Sequence, residues 1–214
     1  MVSPAEFIPH VERTALIRAV TIFVAAEALR TARELGELGH QLGVSVNVPY
    51  RAIDDPELAA GIEALLTTSG MPASALTLEI VPTGPGAGGE LDKDVLAELR
   101  ALGVRIAVDD FGRASSLAAV RTLPLDQVKI DASFVHGLGR NAADSAVVHS
   151  LTQLGHELGL EVVAEGVETR LAWDTAAALG CDLAQGFYAA APSTREALVE
   201  WLDTGWPAVA QLAC

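Results

Sequence analysis

Six short apolar runs, each closing on an amide or an acid, constrain this chain more than any other feature. They are Val44-Ser45-Val46-Asn47, Leu76-Thr77-Leu78-Glu79, Val104 to Asp110, Gln127 to Asp131, Glu161 to Gly166 and Asp182 to Gly186. Stretches with helical periodicity lie between them. Strands that alternate with helices fold as βαβ units around a parallel sheet. Polar groups at the C-terminal ends of successive strands are the layout of a (β/α) barrel active site. The fold class expected is α/β, an incomplete barrel of about six βα units. A complete barrel has eight strands, so this chain is two short.

The run VRIAVDDFGRASS, Val104 to Ser116, holds the densest chemistry. Its apolar half reads as a buried parallel strand between Gly103 and Phe111-Gly112. It ends in two adjacent acids, Asp109 and Asp110. Neighbours on a strand point to opposite faces, but where the chain turns both can reach one ion. Carboxylates at the mouth of an apolar sheet are costly unless they are paired or metal-bound. An Asp after a strand also suits the cap of the next helix, and that reading stays open for the run taken alone.

Charge and cysteine usage exclude several classes. The net charge is −14, which argues against a nucleic-acid surface because such a surface needs a basic patch. An anionic ligand held through a divalent cation is compatible with it. Cys181 and Cys214 form no CxxC motif, so they read as reduced thiols of a cytoplasmic protein. The most apolar run, Ala19 to Ala26, is too short to span a bilayer. Half of the 214 residues are hydrophobic, enough for one domain over residues 1–214 to bury a core.

In chain order, Ser3-Pro4 reads as a helix start and Glu12 to Leu38 as a long helix. Leu42 to Val48 is a predicted strand, and Asp54-Asp55-Pro56 caps a helix running to Thr67. Leu76 to Val81, Gln127 to Ile130 and Glu161 to Glu165 are strands. Pro82 to Gly89 is a flexible loop, glycine-rich but without the lysine and Ser/Thr of a phosphate-binding loop. Helices are expected over Leu91–Leu102, Ser115–Leu123, Ala142–Leu158, Thr169–Leu179 and Ser193–Asp203, the last capped by Ser193. The tail after Trp206-Pro207 reads as loose.

Together these residues make a family resemblance specific. SPAEFIP, SVNV, LTLEI, VDDFG, VKIDASFV, VVAEGVET and GCDLAQGF resemble, in order and spacing, the EAL-domain cyclic-di-GMP phosphodiesterases. The match runs from about Ser3 to Pro192. The DFG of protein kinases is a chance overlap, since their glycine loop and HRD motif are absent. The resemblance implies that Asn47, Glu79 and Asp109 bind divalent metal, that Asp110 joins a second metal, and that Lys129 orients the attacking water. It implies Glu165 at the second metal and water, and Gln185 near the ligand. Mg²⁺ or Mn²⁺ suits such oxygen donors. Singly, Asn47 also suits a turn, Lys129 an ion pair and Glu165-Glu168 a cap.

The sequence departs from the family pattern in three places. The opening hairpin that carries the signature glutamate has no counterpart in this sequence. Glu27-Ala28-Leu29-Arg30 spells EALR, but it lies inside the long helix and reads as a decoy. Only Arg113-Ala114 separates the FG from the paired serines, where the family usually has three residues. Pro82 stands where the family has a bracing glutamate. The expectation is therefore a degenerate EAL domain: catalytically impaired, weak in metal binding, and a binding or regulatory module in cyclic-di-GMP signalling. An active phosphodiesterase giving linear pGpG is the alternative, and a product without selected function is the weaker third. A homodimer or protein partner is expected across the open sheet edge, with no nucleic acid and no membrane.

Overall fold

The structure, a computed structural model, describes residues 10–11, 14, 16–81, 91–113, 117 and 119–204. The predicted helix start at Ser3-Pro4, the loop Pro82–Gly89, Cys214 and the tail after Trp206 lie outside the described residues, as do three of the nine residues of the predicted Ser115–Leu123 helix. Six parallel strands form one sheet whose order is the order of the chain. This is the α/β strand–helix alternation expected from the six polar-ended runs. The chain divides into two compact units, and the division falls within one strand, after Ile106.

In the first unit, helix α1 (Ile17–Glu37) buries Ile17, Thr21, Ala25, Leu29, Ala32 and Leu35. These recur at three- and four-residue steps, so one stripe of the helix faces inward. The decoy motif lies on this helix, where Glu27 binds Arg30 at 2.6 Å. Strand β1 (Val44–Val48) is shorter by two residues than expected from Leu42. A short helix, α2 (Tyr50–Ile53), follows it; four residues are too few to show periodicity in the sequence. Helix α3 (Leu58–Ser69) starts later than the Asp54-Asp55-Pro56 signal implies. Asp55 does serve the turn before it, accepting from the Glu57 N–H at 3.0 Å, and also pairs with Arg18. Gly70 ends α3 in the left-handed conformation. Strand β2 (Leu76–Ile80) is buried along its whole length. It pairs with β1 so that Asn47 lies beside Glu79. In helix α4 (Lys93–Ala101), the Asp92 side chain caps the N–H groups of Asp94 and Val95.

Strand β3 (Arg105–Phe111) passes into the second unit. It pairs with β4 (Gln127–Ile130), and the register slips between Val108 and Phe111. A four-residue helix, α5 (Ala132–Val135), follows, capped by Asp131. Helix α6 (Ala142–Glu157) buries Val148, Leu151, Thr152 and Gly155. A Cβ at Gly155 would lie 2.5 Å from Val162, so the missing side chain allows close packing on the sheet. Strand β5 (Glu161–Glu165) has the predicted bounds. Helix α7 (Arg170–Ala178) is capped by Thr169 and buries Trp173. Strand β6 (Leu183–Gln185) pairs with β5, placing Gln185 beside Glu165. Helix α8 (Arg195–Asp203) is capped by Thr194, not by Ser193, because Thr194 Oγ1 accepts from the Ala197 N–H three positions on.

Asp182, just before β6, accepts from the Val162 N–H at 2.7 Å and contacts His156 at 2.9 Å. Cys181 beside it is a free, buried thiol against Thr152, and burial raises its pKa. No helix among the described residues is long and apolar enough to cross a membrane.

Candidate active site

The first unit brings two of the sequence-predicted residues together. Asn47 and Glu79 are register partners near the C-terminal ends of β1 and β2. Asn47 is exposed, whereas Glu79 is buried. The strand period explains this: successive residues of a half-covered strand alternate between faces, while both faces of β2 are covered.

In the second unit, Asp109 comes from β3, Lys129 from β4, Glu165 from β5 and Gln185 from β6. Lys129 is only 2% exposed and ion-pairs with Glu165. Its register partner on β5 is Val163. Glu165 lies two residues further along that strand, on the same face, and a lysine is long enough to reach it diagonally. Oxygens of Asp109 and Glu165 lie within 4.8 Å of each other. Burial pushes the Glu165 carboxyl up to about 7, Lys129 draws it down, and Asp109 adds to the rise. Near neutral pH, Glu165 is therefore poised between holding and releasing a proton. Two close carboxylates beside one ammonium form a site that a divalent cation would relieve of repulsion.

Asp110 takes a different place from its neighbour. It stands in the left-handed region, φ 56°, alone among the described non-glycine residues. Its own N–H donates to Asp109 Oδ1 at 2.8 Å. Its carboxyl hydrogen-bonds to that of Asp131. Burial, Asp131 and Asp109 together push Asp110 up to about 6. Burial also pushes Asp131 upward, but hydrogen bonds from Ser133, Asp110 and Arg113 prevail and bring it to about 2. Below about pH 6 the pair thus holds one proton on Asp110 and one negative charge on Asp131.

Sequence reasoning gave Asp131 only as the acid closing its strand, with no role of its own, and gave Arg113 none here. The signal for Asp131 was a carboxylate closing a strand two residues before Ser133, a capping pattern. Arg113 carried no signal, because its contact with Asp131 spans eighteen positions of the chain.

The model of the EAL domain matches residues 1–192. The chain belongs to the EAL domain family. The bifunctional diguanylate cyclase/cyclic di-GMP phosphodiesterase MucR of Pseudomonas aeruginosa is 32% identical over 201 residues, covering 93% of this chain and 29% of the relative. The cyclic di-GMP phosphodiesterase RocR of the same organism is 31% identical, covering 92% and 51%. This chain spans 25–34% of the length of the first four curated relatives. Among solved structures, the MucR phosphodiesterase in complex with c-di-GMP has a TM-score of 0.81 at 33% identity, covering 92% of this chain and 81% of that one. The EAL domain of Mycobacterium smegmatis DcpA has a TM-score of 0.80 at 30% identity, covering 89% and 87%. The fold is thus the barrel type of EAL domains, as the six polar-ended strands implied.

Proposed function

We propose that this EAL domain acts on cyclic di-GMP as a divalent-cation-dependent phosphodiesterase, opening the ring to linear pGpG. The observation that carries the reading is the buried Lys129–Glu165 pair beside Asp109. A buried ion pair is a poor way to gain stability, and its place at the C-terminal strand ends is where chemistry is done in this fold. Asn47, Glu79, Asp109 and Asp110 offer only oxygen donors, which fit Mg²⁺ or Mn²⁺. Bound cations would neutralise phosphate charge and lower the pKa of the attacking water. Lys129 orients that water and stabilises charge developing on the phosphate. Glu165 takes up the proton that the water gives up. The water oxygen bonds to phosphorus as the bond from phosphorus to the ribose O3′ breaks, and the O3′ oxygen takes a proton from solvent water to leave as a hydroxyl, while Glu165 returns its own proton to solvent. Gln185 offers its exposed amide to the bound ligand. Residues 1–214 act as one domain in this reading, and the protein works in the cytoplasm.

A second reading, a regulatory module with impaired hydrolysis, is favoured by Pro82 and by the two-residue Arg113-Ala114 spacing in the sequence. It keeps cyclic-di-GMP binding, with weak cation affinity, and signals through a second copy or another protein. Leu183 and Phe187, exposed at and just beyond the edge strand β6, suit such a contact.

One experiment separates the two. The purified chain is mixed with cyclic di-GMP and Mn²⁺, and both pGpG release and ligand binding are measured. Turnover that Glu79→Ala abolishes supports the enzyme. Binding without turnover supports the regulatory module, and neither binding nor turnover overturns both.

A further inference from the structure

We propose that Arg113 is a positioning residue, which clamps the Asp109-Asp110 turn to the end of β4 through Asp131. The inference concerns the cation site of the proposed function and rests on that reading. Asp110 is an aspartate in the left-handed region, a conformation unfavourable to L-residues that persists where the surroundings fix it. The register between β3 and β4 slips at the same place, so the regular ladder does not fix it.

Several bonds around this turn converge on Asp131. Its N–H donates to the Phe111 carbonyl at 3.2 Å, joining the two strand ends. Its Oδ1 accepts from the Ser133 N–H at 2.8 Å, which ties it to the start of α5. Its Oδ2 accepts from Arg113 Nη1 at 3.3 Å. The Arg113 N–H donates back to the Asp110 carbonyl at 3.2 Å, closing the turn. Arg113 thus grips the turn at its backbone and Asp131 at its guanidinium. Phe111, the next residue of the chain, is fully buried. The Asp131 side chain is 9% exposed and that of Arg113 is 62% exposed, so the anchor is fixed and the clamp lies on the surface. A group reaching a ligand through another carboxylate acts by orientation, and such partners commonly set metal affinity.

Arg113→Ala and Arg113→Lys test this in two independent ways. In metal-free protein, backbone hydrogen exchange at Asp131 and Arg113 is read by NMR. Arg113→Ala should speed it about tenfold, with the amides of α6 unchanged. In a titration with Mn²⁺ alone, Arg113→Ala should weaken binding about tenfold, and Arg113→Lys should recover part of the loss. Unchanged exchange at both amides, or Mn²⁺ binding by Arg113→Ala equal to wild type, overturns the proposal. If the wild-type chain binds no Mn²⁺, the proposed function fails, and hydrogen exchange alone then decides the role of Arg113. Faster exchange spread over α6 as well would mark general loosening and would also overturn the clamp.

Discussion

The Lys129 ammonium and the Glu165 carboxylate form an ion pair at the C-terminal ends of adjacent strands, with Lys129 almost wholly buried. The two differ in what removal would do. Removing the lysine leaves a buried acid that can take up a proton. Removing the acid leaves a buried ammonium, which an apolar surrounding tolerates only by losing its charge.

Lys129→Met tests the catalytic half of this asymmetry. Methionine matches the lysine stem in length and fills the same space without charge. Loss of the ammonium is tolerated where the remaining acid can take up a proton, as Glu165 can at pH 6. Hydrolysis of cyclic di-GMP should fall at least about 100-fold, while the thermal midpoint at pH 6 stays within a few degrees of wild type. A variant that retains most turnover would remove Lys129 from the chemistry.

Stability of the metal-free chain should fall as pH rises from 5 to 7.5. Glu165 is raised to about 7 and Asp110 to about 6, both above their ordinary values. Between an ordinary carboxyl pKa and these values, the folded chain holds more protons than the unfolded chain. Stability therefore decreases with pH in that window. Asp131, lowered to about 2, acts oppositely but only below its ordinary value near 3.8. The net loss is on the order of 2 kcal/mol, read from urea midpoints. A flat profile across this range would contradict the burial of these groups.

Cation affinity should move the other way. A cation held at Asp109, beside Glu165, favours the ionised form of Glu165, so binding releases its proton. With a pKa of about 7 at this group, Mn²⁺ should bind about tenfold more tightly at pH 8 than at pH 6. Calorimetry in two buffers of different ionisation enthalpy measures both the affinity and the proton released. Pure affinity without proton release would place the cation away from Glu165.

Gly112→Ala should destabilise the chain by about 1–3 kcal/mol. Gly112 has φ 106°, and an added Cβ would lie 2.7 Å from Leu151 Cδ1 and 2.9 Å from Phe134 Cε2. Both the backbone and the space exclude a side chain there. Chemical denaturation of wild type and variant compares them directly, and an equal midpoint would show that α6 can yield.

Much of this protein was determined by its sequence alone. The α/β class followed from the alternation of short apolar runs with helical stretches. The bounds of β4 and β5 followed from local composition, since Gln127–Ile130 and Glu161–Glu165 are compact runs between clear breaks. The polar residues at the strand ends followed as well, because a strand brings its last residues to one end of the sheet whatever surrounds it. Which polar groups meet was decided only by tertiary structure. Asp109 and Asp110 are neighbours in sequence, yet one lies beside Glu165 and the other bonds to Asp131. The left-handed turn at Asp110 makes that separation. The bonds of Phe111 and Arg113 to Asp131 join strand ends that chain order alone does not align. Strand and helix content follow from local periodicity. The Arg113–Asp131 contact and the raised pKa of Glu165 depend on distance and burial, which exist only once the strands are side by side.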